Sequence, residues 1–221
     1  LPTAWEEAND QSGHSTRGMD LADDLTSGSL AYISPTFDMA GGTISFTLDY
    51  DPAAKTSGGD PGASVTHTAG YGAGQAWGVK MTHSGLTVAA AHSTSETEKT
   101  AAPSNDQTAS MGQIIYSAGP VAVGYGEWYV DEKDGGVDYS ASGFGVSFNV
   151  NDDLSVSYGE LTDTREANGA TAALDTDIQS IQIAYSMGSM SIKAKQVETD
   201  NPYHTSAKSE TNSEISLSFS F

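Results

Sequence analysis

The sequence predicts an all-β fold, an antiparallel up-and-down transmembrane β-barrel, and three observations carry that prediction. From residue 28 onward, segments of about 8 to 11 residues alternate polar and apolar, the period of a strand with two unlike faces. The connections between those segments alternate short and long, as they do where one rim of a barrel faces a crowded compartment and the other is free to elaborate. Charge also avoids the apolar face: in the clear strands Asp49, Lys80, Lys193, Lys195 and Glu214 all fall on the opposite side. A Lys or Arg at mid-depth on a lipid face would cost about 2–4 kcal/mol.

Taken in order, eleven strands are expected, near 28–37, 43–50, 75–83, 86–93, 110–118, 121–130, 138–148, 154–161, 178–187, 190–198 and 213–221. The clearest are "TISFTLDY", "FGVSFNV", "LSVSY" and "SIQIAYSM", each with its apolar residues two apart. Between them "DMAGG", "HSG", "AGP", "NDD" and "GS" are tight-turn compositions. The intervening connections, near 51–74, 94–109, 131–137, 162–177 and 199–212, are rich in Asp, Gly, Ser, Thr and Pro. Aromatic residues gather at strand ends: Phe37, Tyr116, Phe148, Tyr185, Phe219 and Phe221 toward the short turns, Tyr50, Tyr129 and Tyr158 toward the long loops. Two such rings are the girdles that mark the two membrane interfaces. The last strand puts Ile215, Leu217, Phe219 and Phe221 on one side and Glu214, Ser216, Ser218 and Ser220 on the other. The first set is expected to face lipid and the second to line water.

Composition excludes several functions. Among 221 residues there are 29 acids and 9 bases, a formal charge of −20, so a nucleic-acid partner is not expected. With no cysteine there is no disulfide framework and no thiolate metal site. Mean hydropathy is −0.35, and no run reaches the roughly 18–20 apolar residues of a membrane-spanning helix. His14 lies near Ser12, Ser15 and Asp10 only in sequence, and "GYGAG" lacks the strand-to-helix context of a nucleotide loop. The loops "DEKDGGVD" and "NDD" carry oxygen ligands of the kind Ca²⁺ uses but match no calcium-loop pattern. No cofactor and no enzymatic activity are expected.

The strand rhythm from 28 to 221, closed by "ISLSFSF", resembles the general diffusion porins of Gram-negative bacteria, most of all the trimeric alphaproteobacterial type. The resemblance implies a sixteen-stranded barrel in the outer membrane whose third outer loop, after strand five, folds into the lumen. Eleven strands then correspond to strands six to sixteen, residues 1–27 to the inward-folded constriction loop and residues 28–221 to the barrel. It further implies an eyelet lined by Glu6, Glu7, Asp10, Arg17, Asp20, Asp23 and Asp24, facing a wall that includes Asp49, Lys80, Lys193, Lys195 and Glu214. Ile215, Leu217, Phe219 and Phe221 would form the signal read by the barrel-assembly machinery. The expected partners are outer-membrane lipid, two further copies in a homotrimer and small hydrophilic solutes. The acidic excess predicts passive diffusion with cation preference. Two other readings fit the residues: a substrate-specific channel of the same fold, and a secreted acidic β-sandwich that binds a partner without forming a pore.

Overall fold

The computed structural model describes residues 1–6, 8, 30–54, 71–97, 106–132 and 136–220. Twelve strands form one antiparallel sheet: β1 (Leu30–Ile33), β2 (Phe37–Met39), β3 (Gly42–Ala54), β4 (Tyr71–His83), β5 (Leu86–Thr97), β6 (Gln107–Ala118), β7 (Val121–Glu132), β8 (Tyr139–Asn149), β9 (Leu154–Arg165), β10 (Leu174–Met187), β11 (Met190–Asp200) and β12 (Ser209–Phe219). From β3 to β12 each strand pairs with the next, while β1 and β2 both pair with β3. The path is open, with β1 and β12 at its two ends. There is no α-helix among the described residues.

The first expected strand, 28–37, is divided at Ser34–Pro35–Thr36. Pro35 has no N–H to give to the ladder, and the register against β3 shifts by one residue across the break, from Ile33↔Thr47 to Phe37↔Ile44. Ser34 bridges the gap. Its N–H donates to the Phe46 carbonyl (2.9 Å), and its Oγ accepts the Phe46 N–H (2.9 Å). Thus β1 and β2 make one interrupted stave, and the sheet has the eleven expected.

The short turns explain its meander. Ala40–Gly41 and Ser84–Gly85 hold positive φ at both positions (48° and 87°, 47° and 83°), the type I′ geometry that matches strand twist. In "NDD" the side-chain oxygen of Asn151 accepts the N–H groups of Asp153 and Leu154 at 2.9 Å each. That acidic turn uses its oxygen for its own backbone.

One face of the sheet is apolar near the short turns on every stave. Ile44, Phe46 and Leu48 sit beside Trp77, Val79 and Met81, and the series continues through Val121, Val123 and Tyr125 to Leu154, Val156 and Tyr158. Along β12, Ile215, Leu217 and Phe219 are 77%, 55% and 55% exposed on this outer face. Toward the long loops the same face turns polar and acidic, with Glu127 and Glu160 next on the apolar parity. Each carboxylate accepts from the tyrosine two residues earlier, Tyr125 (2.7 Å) and Tyr158. Tyr129 is therefore set apart from the apolar collar by Glu127, and on β7 the aromatic at the collar edge is Tyr125.

The inner face differs from the expected polar lining. Trp128, Ala141, Leu161, Ile178 and Val197 form a buried apolar cluster there, packed against Leu1 and Met111. Ala109, Val130 and Tyr139 make a second cluster nearer the long loops. The 3₁₀ turn Pro202–His204 folds over this end; His204 Nε2 donates to the Asp163 carbonyl (3.1 Å), and its ring lies 5.6 Å from that of Tyr139.

Candidate functional site on the inner wall

Cross-strand register brings four residues from four strands into one row on the inner face: Ser157 of β9 opposite Gln182 of β10, Gln182 opposite Lys195 of β11, and Lys195 opposite Glu214 of β12. The segment Leu1–Glu6 lies along this row. The sequence predicts a short helical turn in "AWEEA", of which Glu7 lies outside the described residues; the wall meets the backbone of Ala4–Glu6. Ala4 N–H donates to Ser157 Oγ (2.8 Å), and the N–H groups of Trp5 and Glu6 both donate to Gln182 Oε1 (3.0 Å each). Gln182 Nε2 returns a bond to the Glu6 carbonyl (2.7 Å) and another to Ser180 Oγ (3.1 Å). A single carboxamide thus satisfies three backbone groups that would otherwise be removed from water without partners, at about 1–3 kcal/mol each.

Charge completes the attachment. The Lys195 side chain is 1% exposed and pairs with Glu6, with Glu214 Oε2 at 3.6 Å on its other side. A buried ammonium is tolerable only when paired, and here two carboxylates flank it. The Trp5 ring lies across both wall lysines, 5.2 Å from Lys195 Nζ and 5.9 Å from Lys193 Nζ, within cation–π range. Lys193 makes no ion pair among the described residues.

A second row, two residues toward the long loops, is nearly bare of side chains: Gly124 pairs with Gly145, and Gly145 with Gly159. Pro2, Leu1 and Ala8 press against it. The inner segment is consequently seated flush on β7–β9 and fastened to β9–β11, at the level where Val146 and Tyr158 form the outer apolar collar.

Of the expected eyelet residues, Glu6 is at this seat, whereas Glu7, Asp10, Arg17, Asp20, Asp23 and Asp24 lie outside the described residues. Lys193, Lys195 and Glu214 are brought together with it. Asp49 and Lys80 occupy the same inner face of the sheet but on β3 and β4, opposite Ala76 and Ser45. Phe221 also falls outside the described residues. Sequence reasoning missed Ser157, Gln182 and the glycine row, which look like ordinary inward residues until the register aligns them.

Comparison with known proteins agrees with this architecture. A family model described as Gram-negative porin matches residues 3–186. An anion-selective porin from Comamonas acidovorans superposes with a TM-score of 0.65 at 12% identity, covering 87% of this chain and 59% of its own. OmpT of Vibrio cholerae, folded in vitro, gives 0.53 at 15% identity over 90% of this chain and 64% of its own. The same protein expressed in the outer membrane gives 0.51 at 15% identity over 78% and 54%. The chain therefore spans a little over half to nearly two thirds of the structures it resembles, and at these identities the likeness is one of fold. No curated protein matches the sequence.

Proposed function

The chain belongs to the Gram-negative porin family and resides in the outer membrane, and on that premise we propose that it forms a water-filled channel for passive diffusion of small hydrophilic solutes. The observation that carries this reading is the seated segment: residues 1–6 cross the inner wall at the depth of the apolar collar, held by Ser157, Gln182 and Lys195. A segment fixed there narrows the opening and presents Glu6 to it. The open sheet, in which β1 and β12 each pair on one side only among the described residues, supports a barrel completed by further strands, residues 28–221 supplying strands six to sixteen of sixteen and residues 1–27 the constriction loop. The exposed row Ile215, Leu217 and Phe219, continued by Phe221, is the assembly signal in this reading, and the working form is a homotrimer. The channel is not an enzyme and needs no cofactor.

We further propose cation preference. At the seat itself Glu6 and Glu214 balance Lys193 and Lys195, so the bias comes from the chain-wide excess of acid, 29 against 9 bases, through the field it sets up in the opening. Single-channel recording of the full-length protein in a planar bilayer under a salt gradient tests both parts. Stepwise openings with a cation-directed reversal potential are expected. Anion-directed reversal would overturn the selectivity alone, and absence of conductance from folded, inserted protein would overturn the channel.

A further inference from the structure

We infer that the glycine row Gly124–Gly145–Gly159 sets the calibre of the opening, by fixing how closely the inner segment lies against the wall; this rests on the channel reading above. Glycine inside a strand weakens it, through backbone entropy and lost packing. Three glycines paired in sequence across neighbouring strands concentrate that penalty in one place. Close approach of another backbone is the physical reason for accepting it, and here the approaching segment is present. A methyl group added at Gly124 would stand 2.6 Å from Cδ of Pro2. At Gly145 it would stand 2.9 Å from the Pro2 carbonyl oxygen and 3.2 Å from Cβ of Leu1, and at Gly159 3.1 Å from Cβ of Ala8.

The wall opposite each glycine is strand backbone bound on both sides, so it cannot retreat. The segment is held by side-chain hydrogen bonds to β9, β10 and β11 and can move inward. Carbon contacts relax at about 3.5–4.0 Å, so one methyl at Gly124 displaces Pro2 by about 1 Å into the lumen. Gly112 is the control: it lies on the outer face, and an added methyl there meets nothing within 4 Å.

The test is a graded series in the full-length protein: wild type, Gly145→Ala, Gly145→Val and Gly112→Ala. Single-channel conductance is expected to fall stepwise from wild type to Ala to Val, with Gly112→Ala unchanged. Equal or larger conductance in the Gly145 variants would overturn the inference. Should Gly145→Val fail to fold, Gly124→Ala replaces it, with Gly124→Ala/Pro2→Gly as rescue; conductance is expected to recover when the Pro2 ring is removed, and failure to recover would overturn the inference. A second readout needs no conductance. The chain has no cysteine, so Ala4→Cys with Ser157→Cys reports seating by disulfide yield. The yield is expected to drop in the Gly145→Val background, and an unchanged yield would overturn the inference. A wild type that does not conduct, while its cross-link responds to Gly145→Val, would overturn the channel reading and leave the glycine row as what fixes how closely the inner segment lies against the wall.

Discussion

The two halves of the wall share one outer face and differ within. From β3 to the short-turn end of β6 the inner surface is short and plain: Thr43 hydrogen-bonded to Thr82 (2.6 Å), then Ser45, Lys80, Ala89 and Gln113, while Ala109 and Met111 farther along β6 already belong to the buried clusters. From β7 to β12 the same parity carries a buried apolar cluster, a glycine row and a charged, hydrogen-bonded seat, with a segment of chain laid over them. Both halves satisfy the same barrel alternation, so alternation fixes which face looks inward and nothing about what that face does. The second half is a support built against a chain segment; the first is simply wall.

Truncating the support should reveal that asymmetry most strongly. Trp128→Ala removes the largest member of the inner cluster, 8% exposed, and should destabilise by about 3–5 kcal/mol, read as a lower guanidinium midpoint in detergent. Lys80→Ala on the plain wall should stay within about 0.5 kcal/mol. Equal effects would remove the distinction. Lys195→Met comes next. It leaves Glu6 and Glu214 without their cation, and breaking such a buried pair costs about 3–5 kcal/mol; with both carboxylates about one-third exposed, at 31% and 34%, the low end is expected. The readout specific to the seat is faster proteolysis within residues 1–27 of the folded protein.

Gln182→Ala should cost about 2 kcal/mol, because three backbone partners of Trp5 and Glu6 lose their one carboxamide. Here too loosening of the inner segment, measured by protease cleavage, should exceed any change in the barrel's own unfolding. Ser34→Ala, in the plain half, removes the acceptor of the Phe46 N–H and should cost about 1 kcal/mol without touching the segment at all. Together the two substitutions separate hydrogen bonds that hold the wall from those that hold what lies on it.

Much of the fold was legible because a two-residue period survives any register. Eleven staves, their order and the apolar outer side follow from alternation and turn chemistry alone. The break at Pro35 was visible as a proline in a strand, but its repair by the Ser34 hydroxyl depends on Phe46 being across the ladder. The inner cluster had a signal in the sequence: Ile178 shares parity with Gln182, and Val197 with Lys195, apolar residues on a face otherwise polar. The seat had none. Ser157, Gln182, Lys195 and Glu214 are separated by up to 57 residues in sequence, and only the register of three ladders aligns them.

The smallest expected effect is the most informative about function. Lys193 lies beside the seat yet, among the described residues, carries none of its hydrogen bonds, and its ammonium lies 5.9 Å from the Trp5 ring. Lys193→Glu should therefore leave the guanidinium midpoint nearly unchanged. It reverses one charge beside Glu6, adding two negative units to a locally balanced site. Two units at about 10 Å in water amount to somewhat under 1 kcal/mol before screening, and salt reduces this to about a twofold change in the cation-to-anion permeability ratio. A reversal potential that shifts toward cations by that amount would show that solutes pass this part of the wall. An unchanged reversal potential with intact conductance would mean that ions travel along β3–β6 instead, and that the plain half of the wall, with Asp49 and Lys80, sets the selectivity.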